Sequence, residues 1–269
     1  MRGLITGGTY PLQALVLFVR KPSLLTYLIA PLALNIVLGI GLYWGLFQPS
    51  WAWVNTQLNE FALQLDQWVA GLPPWLGFLD EVGLGLGWTL RLLLIVGLLL
   101  VIGFLLAQFG TLLGAPWYGK LSERIEQLKT QQLTVVEVGP IQDVARAIQF
   151  ELKKLVLLVG IGGLCLGLNL LPGFGSMVAS IGGIGLAATL VCLDFLDSPL
   201  ERRRLRFRQK LGLIMGALPA TASFGLVCLF LVSIPLLNLI TVPICVASGT
   251  LFFCDRLWPK YFQPPSDSA

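Results

Sequence analysis

Residues Ser223 to Phe253 read SFGLVCLFLVSIPLLNLITVPICVASGTLFF, a long uncharged run that is interrupted near its middle by Pro235, Asn238 and Pro243. Proline removes a backbone hydrogen-bond donor and crowds the carbonyl four residues earlier, which for Pro235 is that of Leu231. Lipid has no water to satisfy the groups that are freed. We therefore expect the chain to turn back here as a broken helical pair, or to line a polar space.

The composition places this break in a membrane protein. Hydrophobic residues make up 56% of the 269 residues, charged residues make up 12%, and the mean hydropathy is +0.82. Soluble domains carry about twice that share of charge, about 25%. We therefore expect an all-α polytopic membrane protein that forms a single integral membrane domain over residues 1–269.

The residue types that are missing argue against several function classes. The chain has no histidine, the commonest general base and metal ligand, and it has no P-loop. Its five cysteines stand in or beside apolar runs and include no CxxC pair. We therefore expect neither an enzyme nor a bound cofactor or metal ion, and we interpret the cysteines as packing residues.

Besides residues 223–253, two further apolar runs are long enough to span a bilayer. They cover about residues 24–47 and 84–114, and a helix rises about 1.5 Å per residue across a hydrocarbon core of about 30 Å. Between them, Gln48 to Val82 contains four tryptophans and no lysine or arginine. This segment is predicted to be a loop outside the cell membrane, at the lipid interface.

Lysine and arginine are concentrated in two other segments, residues 115–154 and 194–211. The positive-inside rule predicts that both face the cytoplasm, and that both termini do as well. The protein is therefore predicted to be a multi-pass protein of the inner (plasma) membrane. In the first segment, Trp117, Leu121 and Ile125 recur at helical spacing, which indicates an amphipathic cytoplasmic helix.

The second basic segment is predicted to be a helix that lies along the membrane surface. Leu196, Leu200 and Phe207 form an apolar stripe beside its arginines. These arginines set the topology and meet anionic lipid, or alternatively concentrate anions at the cytoplasmic mouth. Asp194 and Asp197 are interpreted as helix caps near the following proline.

The remaining apolar residues form two helical hairpins, about residues 155–193 and 212–254, which cross the membrane fully or only partly. The first turns at PGFGS, where glycines permit unusual backbone angles and the first amides of the returning helix face the bend. Such a helix start can hold an oxyanion, which makes Gly173, Gly175 and Ser176 candidate binding residues. A plain turn is the alternative.

Asn35 and Asn238 are polar side chains inside apolar runs. Each amide is expected to be hydrogen-bonded to a neighbouring helix or to a carbonyl of a broken helix, and direct contact with a substrate is the alternative. Pairs of small residues at four-residue spacing, such as Gly41 with Gly45 and Gly163 with Gly167, predict close helix packing within or between subunits.

Several landmarks, in the same order along nearly the whole chain, resemble the CysZ-like sulfate permeases of the etoposide-induced membrane protein family. They are KP and PLALN within residues 21–35, APWYGKLSERIE at 115–126, LDFLDSP at 193–199, and SFG, IPLLNLITVP and ASGT within 223–250. The resemblance implies two long membrane helices, two hairpins that penetrate the bilayer only partly, and a homo-oligomer. It also implies a channel-like path for sulfate that supplies sulfur assimilation.

The chain departs from this family at one element. The family carries a Gly-Leu-Arg-like element before the first span, associated with sulfate binding, and the aligned residues here are Ser23, Leu24 and Leu25. The arginine is absent, and Arg20 and Lys21 are the nearby cations that can supply its charge. The resemblance thus adds Arg20, Lys21 and Ser23 to the candidate substrate-binding residues.

The sequence therefore predicts a membrane permease or channel for sulfate or a related oxyanion, with membrane lipids and copies of itself as partners and no nucleic acid. The alternative is a membrane scaffold or assembly factor of the same family that transports nothing, which the absent arginine favours.

Overall fold

The computed structural model of the protein describes residues 6–69, 78–134, 136, 139–171, 173–234 and 237–263. These residues form helices and no strand. The helices are α1 Tyr10–Arg20, α2 Thr26–Leu42, α3 Gln48–Val69, α4 Phe78–Thr130, α5 Pro140–Leu168, α6 Gly175–Arg202, α7 Phe207–Gly216, α8 Ala220–Val232, α9 Asn238–Phe252 and α10 Trp258–Tyr261. A 3-10 turn, Pro22–Leu24, follows α1, and π-helical turns join α2 to α3 at Tyr43–Phe47 and α9 to α10 at Phe253–Leu257.

Four helical stretches among the described residues are long and apolar enough to cross a membrane. They are Pro22–Gln64, Gly85–Leu106, Gly175–Arg202 and Leu239–Tyr261. Helices α7 and α8 form a fifth candidate, a pair bent by 106°. The prediction of an all-α polytopic membrane protein is confirmed.

The chain divides into two compact units, of which one comprises residues Ala30–Gly114. In this unit α3 continues α2, and α4 is joined to α3 by Arg91 Nη2, which donates to Asn59 Oδ1 at 2.9 Å. Near the other end, Gly39 faces the side chain of Leu106. The segment that we interpreted as a tryptophan-rich loop is largely helical, since α3 covers Gln48–Val69 and continues the first span. The sequence interpretation missed this because the residues of α3 are polar enough to resemble a loop.

The other unit joins the two ends of the chain, Met1–Ile29 and Ala115–Ala269. Helix α6 lies at its centre and packs against α5, α8 and α9, while α1 packs against α9. The ring of Tyr10 in α1 meets the ring of Phe252 in α9 with centroids 5.1 Å apart. The buried core of the unit is therefore built from residues that are far apart in the sequence.

Two glycines let these central helices approach closely. A side chain at Gly225 would lie 2.6 Å from the carbonyl oxygen of Ala188, and one at Gly249 would overlap the carbonyl of Phe195. By contrast, a Cβ atom would meet nothing within 4 Å at either member of the two spaced pairs, Gly41 with Gly45 and Gly163 with Gly167. These two pairs lie on open helix faces and do not mark close packing within the chain, so close packing between subunits stays the prediction.

The prediction that residues 194–211 form one basic helix along the membrane surface was wrong. Helix α6 ends at Arg202, Arg204 has a backbone φ of 55°, and α7 begins only at Phe207. Leu196 and Leu200 are fully buried, so the apolar stripe faces the core of the unit. The spacing of Leu196 and Leu200 correctly indicated a helix, but their side chains pack against the protein core and not against lipid.

The break between α8 and α9 frees a backbone carbonyl, and that carbonyl has a specific hydrogen-bond partner. Helix α8 ends at Val232 and α9 begins at Asn238, while Pro235 itself lies outside the described residues. The carbonyl of Leu231, which proline deprives of its helical donor, accepts a hydrogen bond from Thr241 Oγ1 at 3.2 Å. The returning arm, α9, thus supplies the donor that lipid cannot.

Candidate functional site

Asn35 is the most distinctive of the predicted site residues. It lies in α2, inside an apolar span, and its side chain is 5% exposed. Its Oδ1 atom is buried and has no hydrogen-bond partner among the described residues. The expectation that this amide ties two helices together was therefore wrong for its oxygen. A buried amide oxygen without a partner costs about 1–3 kcal/mol.

Arg20, Lys21 and Ser23 stand together at the end of α1 and in the turn that follows. All three are exposed, and the two cations form no ion pair with a described carboxylate. The carbonyl of Ser23 accepts a hydrogen bond from Thr26 Oγ1 at 2.7 Å, which leads the chain into α2. Neither cation is thus neutralised by a described carboxylate, and both lie close in the sequence to Leu25, the position at which the resemblance implies an arginine.

Gly173 lies in the turn between α5 and α6, and Gly175 and Ser176 are the first two residues of α6. Gly173 has a φ of 88°, a conformation that favours glycine, and a side chain at Gly175 would overlap the carbonyl of Leu168. Both glycines therefore have a structural reason to be there. Ser176 is exposed, and no hydrogen bond among the described residues joins this turn to Arg20, Lys21 or Ser23. Oxyanion binding at the turn stays a prediction.

Asn238 is the first residue of α9, and its side chain lies outside the described residues.

The strongest electrostatic feature of the chain is one that sequence reasoning missed. Glu126, in the last turns of α4, is fully buried and accepts hydrogen bonds from both Arg202 and Arg203 at 2.5 Å. Arg202 also donates to Ser122 Oγ at 3.0 Å, and Thr250 Oγ1 donates to the same hydroxyl at 2.8 Å. The signal was in the sequence, because Ser122 and Glu126 lie one helical turn apart beside the apolar stripe.

A second group of charges centres on Lys210 of α7, whose side chain is only 2% exposed. Its Nζ atom lies 2.5 Å from Asp197 Oδ1 and 2.6 Å from Glu201 Oε2, both in α6. Glu201 also accepts from Arg146 Nε of α5 at 2.6 Å. These contacts connect three helices through paired charges.

Asp194 pairs with Lys154 of α5 at 2.5 Å. Together with the pair formed by Asp197, this shows that the interpretation of the two aspartates as helix caps was wrong, since both lie inside α6 and neutralise lysines of neighbouring helices. Burial alone would lower the pKa of Lys154, but the carboxylates of Asp194 and Glu151 outweigh it and raise the pKa overall. Lys154 therefore stays charged at neutral pH.

The arginine run is thus divided between two roles. Arg202, Arg203 and Arg204 are held by carboxylates, and the guanidinium of Arg204 pairs with Asp143. Arg206 and Arg208 are exposed and form no ion pair with a described residue. The first three are structural, and only the last two remain available to lipid or to a soluble anion.

Comparison with known proteins shows the family of the chain. The profile of the family described as "Sulfate transporter CysZ/Etoposide-induced protein 2.4" matches residues 10–243. The chain is similar to "Sulfate transporter CysZ" of Pectobacterium atrosepticum, with 29% identity over 241 residues that cover 88% of this chain and 81% of the relative. It is also similar to the protein of the same name from Salmonella typhimurium, with 26% identity over 239 residues that cover 88% of this chain and 87% of the relative. The chain belongs to the sulfate transporter CysZ/etoposide-induced protein 2.4 family.

Proposed function

We propose that this protein is a membrane permease or channel for sulfate or a related oxyanion, and that it supports sulfur assimilation. Family membership supports this proposal, since the relatives named above are sulfate transporters. The apolar helices supply the membrane-spanning framework that a permease needs. The alternative of a scaffold that transports nothing is not favoured by these relatives.

The observation that carries the proposal is the buried Oδ1 atom of Asn35, which lies within a span and has no hydrogen-bond partner among the described residues. A half-turn of the carboxamide exchanges Oδ1 and Nδ2, so the same buried position offers either an acceptor or a pair of N–H donors. A sulfate ion that has lost water needs such donors, and a protein that leaves an amide unsatisfied in lipid otherwise loses stability. We infer that Asn35 contacts the permeating oxyanion or the water that accompanies it.

The test is uptake of radiolabelled sulfate into liposomes that contain the purified protein. We expect uptake above that of empty liposomes, and competition by other tetrahedral oxyanions. Ile36→Leu is the matched control for Asn35→Leu, because Ile36 is the next residue of α2 and is 55% exposed. Uptake equal to that of empty liposomes would refute the proposal.

The remaining expectations belong to the same proposal. The protein moves its substrate without covalent chemistry, lies in the inner membrane with both termini in the cytoplasm, and assembles with copies of itself in contact with lipid. The open faces at Gly41, Gly45, Gly163 and Gly167 leave space for a neighbouring helix, which supports assembly. Crosslinking in native membranes tests the assembly, and labelling of a cysteine placed near either terminus tests the orientation.

A further inference from the structure

A groove of about 860 Å³ lies on the surface of the unit that joins the chain ends, between α5, the end of α6 and α7. Its polar end is lined by Arg146, Lys153, Arg206, Arg208 and Lys210, against a single carboxylate, Glu201. Arg146 and Lys210 are neutralised by that carboxylate and by Asp197. Lys153, Arg206 and Arg208 form no ion pair with a described residue, so the groove carries uncompensated positive charge.

The start of α7 adds to this charge. Arg206 precedes α7, and Phe207, Arg208 and Gln209 of its first turn line the groove. The amide of Gln209 donates to the carbonyl of Arg206 at 2.8 Å, whereas the first two amides of a helix have no partner within the helix and carry partial positive charge. The polar end therefore suits an anionic group such as a phosphate.

The other end of the groove is apolar. It is formed by Val156, Leu157, Gly160 and Ile161 of α5, of which Val156 is 66% and Ile161 is 42% exposed. The helical rise from Lys153 to Ile161 is about 12 Å. This is close to the thickness of one leaflet of the hydrocarbon core, about 15 Å.

The order of residues along α5 matches these two ends. The cations of α5 end at Lys154, and the uncharged residues 155–171 follow directly. A free oxyanion would occupy only a small part of a groove of this size and would leave its apolar wall without a partner. An amphiphile whose anionic head meets the cations, and whose acyl chain lies along α5, satisfies both ends.

We propose that this groove is a binding site for an anionic phospholipid, with its phosphate held by Lys153, Arg206 and Arg208 and one acyl chain against Val156, Gly160 and Ile161. The site is distinct from Asn35, and it stands whether or not the protein transports sulfate. Its occupant would fasten α5 to α7 through the lipid.

The test measures lipid binding to the purified full-length protein in detergent by native mass spectrometry. The probes are phosphatidylglycerol, phosphatidylcholine with the same acyl chains, and inorganic phosphate. We expect phosphatidylglycerol to remain bound and the other two probes to bind far more weakly. Equal binding of the two lipids, or equal binding of inorganic phosphate, would overturn the proposal.

Two pairs of variants test the two ends of the groove. Arg206→Gln with Arg208→Gln removes two cations that contribute about a kcal/mol each near a lipid surface, so affinity for phosphatidylglycerol should fall about thirtyfold. Lys120→Gln with Arg124→Gln is the matched control, because both residues are exposed and lie outside the groove lining. An equal loss in the control pair would mean non-specific attraction and would refute the site.

Gly160→Phe tests the apolar end while keeping every charge. A Cβ atom added at Gly160 would meet no other atom within 4 Å, so the phenyl ring can fill the groove without a clash at that Cβ atom. We expect phosphatidylglycerol binding to be lost. Gly183→Phe is the control, since Gly183 also meets nothing within 4 Å and does not line the groove. Wild-type binding by Gly160→Phe would refute the placement of the acyl chain.

Discussion

Arg203 Nη2 lies 2.5 Å from Glu126 Oε1, and the guanidinium of Arg203 is at the same time enclosed by three aromatic rings. The ring centroids of Phe253, Trp258 and Phe262 lie 4.6, 4.8 and 5.3 Å from its central carbon. The end of α4, the end of α6 and the C-terminal residues therefore meet at one buried cation. An arginine suits this position because its planar guanidinium can stack on aromatic rings and donate hydrogen bonds to a carboxylate at the same time.

Glu126→Gln is expected to destabilise the protein strongly, because it leaves Arg202 and Arg203 without their shared buried carboxylate. Breaking a buried ion pair in this way costs about 3–5 kcal/mol. Thermal unfolding in detergent, followed by circular dichroism, measures the change. Glu123→Gln is the control on the same helix, since Glu123 forms no ion pair with a described residue. A midpoint for Glu126→Gln equal to that of the control would contradict the prediction.

Gly249→Ala is expected to lower stability, because its methyl group would overlap the carbonyl of Phe195 and force α9 away from α6. Overpacking of this kind typically costs about 1–3 kcal/mol. The matched control is Gly163→Ala, whose methyl group meets nothing within 4 Å. Unfolding midpoints of the two variants should differ clearly, with the control at or slightly above wild type. The opposite order would mean that α6 and α9 are not in close contact.

Asn35→Leu separates a transport role from a structural one. If the amide serves only the substrate, its removal should reduce sulfate uptake at least tenfold while stabilising the fold, since the unsatisfied Oδ1 atom is gone. The stabilisation expected from an unsatisfied buried polar group is about 1–3 kcal/mol. Uptake assays and unfolding midpoints are measured on the same preparations. A loss of stability in Asn35→Leu would show that the amide is a structural tie.

The pair formed by Lys154 and Asp194 gives a pH dependence of known sign. The pKa of Lys154 is raised above 10.5 in the folded protein, so its charge contributes full stability below 10.5 while the partner carboxylate is ionised, and this stability is lost as the pH rises through the raised pKa. The difference in unfolding midpoint between wild type and Lys154→Met should be constant from neutral pH up to 10.5 and shrink in stronger alkali. Lys153→Met, which removes a lysine without an ion pair to a described residue, controls for net charge. A difference that already shrinks between neutral pH and 10.5 would contradict the raised pKa.

The sequence predicted the helical membrane architecture and its broken segments well. Continuous uncharged runs and interrupting prolines are strong signals, because lipid permits few ways to satisfy the backbone. The partner of the Leu231 carbonyl could not be predicted, since Thr241 reaches it only after the chain has turned back. The extent of α3 was missed because its polar residues carry no span signal.

The charged residues were harder to interpret than the apolar ones. Asp194, Asp197 and Arg202 were read through local roles, such as caps and topology, yet each is paired with a residue on another helix. One sequence gives no indication of which opposite charges meet across helices. Asn35 was correctly selected as unusual, but only the structure shows that its oxygen has no partner among the described residues.

The unit that joins the chain ends has a consequence for biosynthesis. Arg256 donates to the hydroxyl of Thr6 across a separation of 250 residues, and Tyr10 packs on Phe252. At a synthesis rate of about 5–20 residues per second, roughly 10–50 s pass between the emergence of α1 and that of its partners. During this interval α1 has no native surface to dock on. A ribosome that stops before α9 would therefore release a chain whose first helix lacks its main packing partner.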